Sequence, residues 1–152
     1  KIQQVKSVDY LCDLTNEAFE EVKHVITSDN EMRRARHAVS ENVRTQAALE
    51  ALNKGDIQGF GQLMDQSHIS LRDDYEVTGI ELDTLVELAW KQPGTIGSRM
   101  TGAGFGGCTV SLVKNDAVEA FINEVGKAYT EKIGYAPSFY IASVGNGSGR
   151  ME

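Results

Sequence analysis

Apolar residues in the first three fifths of the chain recur every three or four positions, which is the spacing of amphipathic helices. Four helices are predicted there. Thr15 is expected to cap the first and Asp56 the third, because each offers a side-chain oxygen to free backbone N–H groups. Gly55 is expected to end the second. The residues predicted to face inward are Ala18, Phe19, Val22, Val25 and Ile26 in the first helix, Ala35, Val39, Val43, Ala47 and Leu49 in the second, Ile57, Phe60, Leu63, Met64, Ser67 and Leu71 in the third, and Leu82, Leu85, Val86 and Ala89 in the fourth.

Three residue pairs have the spacing of a capping box at a helix start. They are Ser28 with Glu31, Thr78 with Glu81, and Asp116 with Glu119. The first two pairs open the second and fourth helices, and the third opens a fifth helix that Gly134 is expected to end. Between the third and fourth helices, the residues around Asp73 to Val77 are predicted to form a loop.

The last third of the chain changes to the two-residue alternation of strands. Gly97–Thr101 and Cys108–Val113 are predicted to form a hairpin, and Ser138–Val144, which is rich in β-branched and aromatic residues, a further strand. The tail Gly145–Gly149 is predicted to fray. The expected fold class is therefore α+β, with helices packed on a small antiparallel sheet.

The composition narrows the class of protein. A chain of 152 residues with 41% hydrophobic content is predicted to form a single domain over residues 1–152. The net charge of -7 argues against nucleic-acid and membrane partners. Two cysteines, Cys12 and Cys108, are too few for a disulfide framework and favour reduced thiols in the cytoplasm. Because the chain starts at Lys1 without a methionine, it is expected to come from a longer parent.

The segment Gly102–Gly107 holds four glycines in six residues and leads into a predicted strand. Such a loop can present backbone N–H groups to an anion, or it can be a tight turn that only needs the conformational freedom of glycine. A dinucleotide-binding motif is disfavoured because no helix follows the loop. A protein-kinase glycine loop is disfavoured because the lysine strand and catalytic loops of that fold are missing.

The segment Gly97–Cys108 resembles the third conserved motif of the GHMP kinases. Three further segments, in the right order and spacing, resemble the galactokinase branch of that family. They are Arg34–Thr45, Leu63–Val77 and Glu81–Val86. The resemblance extends from about Thr15 to Val144 and implies the ferredoxin-like C-terminal domain of GHMP kinases.

The resemblance also implies an activity. Galactokinases transfer the γ-phosphoryl group of ATP to the C1 hydroxyl of galactose with Mg²⁺, and the resemblance places the groups that bind ATP, Mg²⁺ and the sugar mainly in an N-terminal domain absent from this chain. No catalytic or metal-binding residue is therefore expected here, and the fragment alone is predicted to be inactive. Its partners would be galactose and ATP through the full-length enzyme, the N-terminal domain of the same parent, and a second copy of the fragment through an uncovered sheet edge.

The same resemblance suggests which residues lie beside the substrates. The glycine loop is predicted to shape and polarise the phosphate site through backbone N–H groups. Its residues are Thr101, Gly102, Ala103, Gly104, Phe105, Gly106 and Gly107, with Ser98 and Arg99 as candidate supports. Three other functions remain open: a catalytically silent sugar sensor that regulates transcription, an N-acetylgalactosamine kinase, and a free-standing anion-binding module.

Other residues with reactive side chains are assigned structural places. His68 is expected to be a buried, hydrogen-bonded histidine, whereas His24 and His37 are expected on helix surfaces. The adjacent carboxylates Asp73 and Asp74 lack a further ligand at a suitable spacing for a metal ion. Cys108 is expected to be a small core residue, because nothing nearby in the sequence would activate its thiol.

Overall fold

The computed structural model describes residues 1–143 and Gly145. Among them it contains five α-helices and two strands. These are α1 (Asn16–Val22), α2 (Asp29–Asn53), α3 (Ile57–Ser70), α4 (Ile80–Trp90), β1 (Thr95–Thr101), β2 (Cys108–Val113) and α5 (Val118–Ile133). Short 3-10 turns cover Ile2–Gln4, Leu11–Asp13, Lys23–Val25 and Asn115–Ala117. The predicted class, helices packed on a small antiparallel sheet, is confirmed.

Several helix boundaries follow from the capping residues that the sequence indicates. Thr15 accepts the N–H of Ala18 at 3.1 Å, and Asp56 accepts the N–H of Gly59 at 2.8 Å. The box at α2 is half formed. Ser28 caps the helix through a long 3.5 Å contact with the N–H of Glu31, whose side chain instead pairs with Lys1.

The predicted capping boxes at α4 and α5 are wrong. Gly79, with a φ of 95°, is the N-cap of α4, so Thr78 lies one residue too early and is buried. At α5 Asp116 lies inside the 3-10 turn Asn115–Ala117, and Ala117 is the N-cap without a side-chain bond. In both cases the backbone conformation before the helix moved its start beyond the reach of the expected cap.

The segment predicted as a loop after α3 is partly helical. Leu71–Tyr75 forms a turn of π-helix that continues directly from α3. Glu76 ends this turn in the left-handed conformation, with φ 58° and ψ 47°, and its N–H bonds to the carbonyl of Leu71. A wide turn followed by a left-handed residue reverses the chain abruptly and sets the position of Val77.

The two strands pair in an antiparallel hairpin in which Ser98 lies opposite Ser111 and Met100 opposite Thr109. Helix α3 runs along the other side of β1 and takes the place of a neighbouring strand. The approach is close because Gly61 and Gly97 meet backbone to backbone, and a Cβ on Gly61 would lie 2.0 Å from the carbonyl oxygen of Ile96. Only glycine at both positions permits this packing.

The buried apolar residues form three clusters. The first joins the N-terminal turns and α1 to α2, the second lies under the hairpin, and the third joins α4 to α5. Their buried members are Ile2, Leu14, Phe19, Val22, Ala35 and Val39; Leu71, Leu82 and Met100; and Ala89, Phe121 and Val125. Two residues predicted to face inward are exposed instead: Leu49 by 62% and Ile57 by 41%. Both lie near the tip of the α2–α3 hairpin, beyond the reach of the core.

The predicted C-terminal strand is also wrong across Ser138–Ser143, where the chain is irregular; Val144 and the tail Asn146–Gly149 lie outside the described residues. Phe139 packs edge-on against Phe121 of α5 with ring centroids 6.4 Å apart. Tyr140, by contrast, is 90% exposed. Among the described residues this segment pairs with no strand, since the sheet consists of β1 and β2 alone.

Candidate functional site

The glycine loop follows β1 and returns the chain to β2. Gly102, Gly104 and Gly106 have φ values of 78°, 85° and 85°, and Phe105 joins them at 55°. Four left-handed residues among five positions make a tightly coiled bend, which glycine adopts without the steric cost that other residues bear. The ring of Phe105 is 77% exposed. The loop therefore projects from the hairpin and leaves the ring of Phe105 uncovered.

One contact anchors this loop to the rest of the chain. The N–H of Phe105 donates to the carbonyl oxygen of Val77 at 2.8 Å. The same oxygen lies only 2.0 Å from where a Cβ of Gly104 would stand. At Gly102 and Gly106, in contrast, an added Cβ would meet nothing within 4 Å. Gly104 is thus required by packing as well as by conformation.

Several backbone N–H groups of the loop have no hydrogen-bond acceptor among the described residues. Within the described part of the chain, no backbone acceptor is bonded to the N–H groups of Gly102, Ala103 or Gly106, and Gly102 and Ala103 form a turn that Thr101 and Gly104 close. Two other N–H groups of the bend are used, since Phe105 donates to Val77 and Gly107 donates to Gly104. Successive free N–H groups in a left-handed bend are the usual construction of a backbone anion site.

An open groove of about 810 Å³ lies beside the loop, and Gly102, Ala103 and Phe105 form part of its wall. The rest of the wall comes from α2, from the π turn with the two residues after it, and from β1. Its residues are Arg34, Leu71, Tyr75, Glu76, Val77 and Met100. The loop therefore lies at a groove that a ligand or another part of a longer protein can enter.

Ion pairs hold the far wall of the groove in place. Glu76 binds Arg33 at 2.8 Å and Arg34 at 2.7 Å, and these guanidinium groups lower the pKa of its carboxyl, Arg34 most of all. Arg34 also donates to the carbonyl of Asp74. Arg36 pairs with Asp74 at 3.2 Å, so three arginines of α2 are paired with the π turn and the residue that ends it. Because Glu76 immediately precedes Val77, the pairs also fix the loop's anchor.

The two candidate supports are held within the fold. The hydroxyl of Ser98 is buried and lies 2.7 Å from that of Ser111. Arg99 donates through Nε to the carbonyl of Met100 at 3.0 Å, and its Nη1 lies 3.4 Å from Glu41. Thr101, the last residue of β1, is exposed and pairs with Cys108. That Ser98 and Arg99 support the glycine loop remains a prediction; both residues lie in β1, which leads into the loop.

Side chains of α3 bind the backbone of β1 along its edge. Asp65 accepts the N–H of Ser98 at 2.8 Å and the indole N–H of Trp90 at 2.6 Å. Nδ1 of His68 accepts the N–H of Met100 at 3.2 Å. Burial raises the pKa of Asp65, and these N–H donors offset part of that rise. The strand that leads into the glycine loop is thus held from both sides.

The prediction for His68 is confirmed, because its side chain is fully buried and hydrogen-bonded. The prediction for His37 is wrong: it is buried, lies 3.0 Å from the hydroxyl of Ser70 and stacks on Tyr75. That face of α2 is covered by the π turn, which the sequence did not indicate. Cys108 is exposed rather than part of the core, because its side chain lies at the start of β2, where no helix covers it. His24 is exposed, as predicted.

The described residues contain no group of three or more histidine, cysteine or carboxylate side chains that could hold a metal ion. Asp73 is taken up by Arg72, which lowers the pKa of its carboxyl. Asp74 is paired with Arg36 at 3.2 Å. These residues do not fit a Mg²⁺ site. In the same range no helix is long and apolar enough to cross a bilayer.

Sequence reasoning missed Asp65, Glu76 and Val77 as parts of this site. Asp65 could have been found from its position three residues before His68, because this spacing places both side chains on one face of a helix. No local signal marks Val77, because its role rests on a contact made by its carbonyl oxygen.

Comparison with known proteins identifies the family. Residues 48–131, more than half of the chain, match the family described as GHMP kinases C terminal. The chain belongs to the GHMP kinase family. Among curated GHMP kinase relatives, the galactokinase of Fusobacterium nucleatum is 60% identical over 146 residues, covering 96% of this chain and 38% of that protein. The galactokinase of Clostridium beijerinckii is 58% identical over 151 residues, covering 99% of this chain and 39% of that protein.

A solved GHMP kinase structure shows the same fold. The crystal structure of Lactococcus lactis galactokinase complexed with galactose matches with a TM-score of 0.92 and 50% identity, covering 98% of this chain and 38% of that chain. The chain thus spans about two fifths of the length of its galactokinase relatives, and it corresponds to their C-terminal part.

Proposed function

We propose that this chain is the C-terminal domain of a galactokinase, whose complete form transfers the γ-phosphoryl group of ATP to the C1 hydroxyl of galactose. The observation that carries the proposal is identity of 58–60% to galactokinases across almost the whole chain. The TM-score of 0.92 to a galactokinase that was crystallised with galactose supports it.

Within that enzyme, the glycine loop Thr101–Gly107 would form one wall of the cleft between domains, beside the transferring phosphate. Phosphoryl transfer needs mainly positioning and stabilisation of charge on oxygen. The N–H groups of Gly102, Ala103, Gly104 and Gly106 suit the second need, because fixed donors require no reorganisation as charge develops. Anchoring to Val77 serves the first need.

The remaining functions would belong to the rest of the parent. The acid–base group and the sugar and Mg²⁺ sites would come from an N-terminal domain; in this chain the adjacent carboxylates Asp73 and Asp74 are paired with Arg72 and Arg36. A cytoplasmic location is part of the proposal and agrees with two free, exposed cysteines.

The test is to express the complete parent and measure ATP consumption with galactose, N-acetylgalactosamine and glucose. We expect faster ATP consumption with galactose than with either of the other two sugars. Preference for N-acetylgalactosamine would replace the proposed substrate with that sugar. Galactose binding without ATP consumption would contradict the enzyme and favour a silent sugar sensor.

The isolated chain provides the matched control. It is expected to show no sugar-dependent ATP consumption and no nucleotide binding by calorimetry, because a single wall of a cleft leaves the phosphates without their main site. Nucleotide binding by the isolated chain, without kinase activity of the parent, would favour a free-standing anion-binding module.

A further inference from the structure

His68 lies fully buried in α3, and the proposed function gives it no part. Its Nδ1 lies 3.2 Å from the backbone N of Met100, which is a donor. A ring nitrogen that accepts a hydrogen bond carries no proton, and a neutral imidazole then bears its proton on the other nitrogen. The contact with Met100 therefore fixes both the charge and the tautomer of His68.

The other ring nitrogen faces a carboxylate. Nε2 of His68 lies 3.2 Å from Oδ1 of Asp83 in α4, and in the described residues neither atom has a partner with hydrogen-bond geometry. The indole of Trp90 meets the imidazole edge-on, with ring centroids 5.7 Å apart. The ring thus lies between Asp83 and Trp90 of α4 and the backbone of β1, to which Nδ1 is bonded.

The backbone that His68 holds leads directly into the glycine loop. Met100 lies two residues before Gly102, and its own side chain is buried beneath the loop. Its terminal Cε lies 3.3 Å from where a Cβ of Gly104 would stand. A shift of the Met100 backbone would therefore move both the start of the loop and the side chain that supports its middle.

We propose that His68, neutral and protonated on Nε2 toward Asp83, is a positioning residue that sets the glycine loop through the N–H of Met100. The kinetic consequence rests on the proposed function, whereas the tautomer and the hold on Met100 do not. His68 touches no substrate in this scheme, since it acts only through the strand.

Two amide substitutions separate the contacts of the two ring nitrogens. In His68→Asn the side-chain oxygen stands about where Nδ1 stands and can accept from Met100. In His68→Gln the amide reaches toward Asp83, and the acceptor for Met100 is lost. In the complete parent, His68→Asn is expected to retain most of kcat, whereas His68→Gln should lose about tenfold or more, as displacement of catalytic geometry does. The KM for the sugar should change little in both.

Val125→Ala is the stability control, because Val125 is buried in α5 and belongs to a different core cluster from Met100. It should lower the melting temperature without lowering kcat in a parent assayed well below that temperature. If kcat of the two His68 variants falls equally, or falls only in proportion to their melting temperatures, the positioning role is refuted.

Two readouts need no catalytic activity. Imidazole ¹⁵N spectra of the complete wild-type protein should show His68 protonated on Nε2 alone, and a proton on Nδ1 would overturn the proposal even if every variant failed to fold. Hydrogen exchange at the Met100 amide should stay slow in His68→Asn and become faster in His68→Gln. If the parent lacks kinase activity, the proposed function fails, and these two measurements still decide the hold on Met100.

Discussion

Gly104 and Gly106 share a φ of 85°, yet their surroundings differ. An added Cβ at Gly104 would overlap the carbonyl oxygen of Val77, and one at Gly106 would enter open space. Both substitutions strain the backbone, but only the one at Gly104 also forces two segments apart. The pair of positions therefore separates the conformational role of glycine from its packing role.

We predict that Gly104→Ala lowers the free energy of unfolding by about 1–3 kcal/mol more than Gly106→Ala, which is the usual cost of overpacking. Gly104→Val should also strongly reduce kcat of the parent, because it detaches the loop from Val77. Urea denaturation and steady-state kinetics measure the two effects. Equal losses of stability at the two positions would contradict the packing role of Gly104, and unchanged kinetics in Gly104→Val would show that the loop is only a turn.

Among the elements, the helix starts show how much a cap depends on its surroundings. Asp56 and Asp116 are both aspartates, and each precedes a segment with apolar residues at helical spacing. Asp56 bonds to the N–H of Gly59, but Asp116 is inside a 3-10 turn and caps nothing. The same local sequence pattern thus stabilises a helix start at only one of the two sites.

We predict that Asp56→Ala destabilises the chain by about 1 kcal/mol, the usual value of an N-cap. Asp116→Ala should change stability by less than about 0.5 kcal/mol, as surface substitutions do. Thermal or urea unfolding of both variants gives the comparison. A larger loss from Asp116→Ala than from Asp56→Ala would contradict the helix starts described above.

At the scale of the whole molecule, two buried histidines couple folding to pH. Burial is the main cause that lowers the pKa of both His37 and His68 in the folded state. Near His68, Asp83 opposes that shift, while Arg72 and Arg99 add to it. The unfolded chain therefore binds more protons than the folded chain just below the ordinary histidine pKa of about 6.5. Stability is complete above that pH and is lost as the pH falls below it, toward the folded pKa values.

We predict that the free energy of unfolding declines on acidification below about pH 6.5, by up to about 1.4 kcal/mol per pH unit for each titrating histidine. His37→Gln should lower stability and make this decline shallower, whereas His24→Gln, at an exposed position, provides the matched control. Urea unfolding at several pH values measures the slope. An unchanged slope in His37→Gln would show that burial of His37 does not couple to folding.

Several predictions that held rest on interactions of short range, whereas His37 and the C-terminal strand depend on distant parts of the chain. Thr15, Asp56 and Gly134 act within one helical turn, so the sequence was enough to find them. His37 was misplaced because the element that covers it, the π turn, is more than thirty residues away in the chain. The strand expected at Ser138–Val144 had the right composition, but strand formation needs a neighbouring strand, which composition does not reveal.

The sequence by itself determined the amphipathic helices, the hairpin and the glycine loop, because periodicity, capping and turn chemistry are encoded within a few residues. It also carried the motifs of the family. Only the tertiary structure decided that a side chain at position 104 would overlap the carbonyl oxygen of Val77. It also decided that α3 packs beside β1 where a further strand could lie. Those features depend on which backbone atoms meet across distant segments. Because nearly all residue types have the same backbone groups, the residue type does not reveal such contacts.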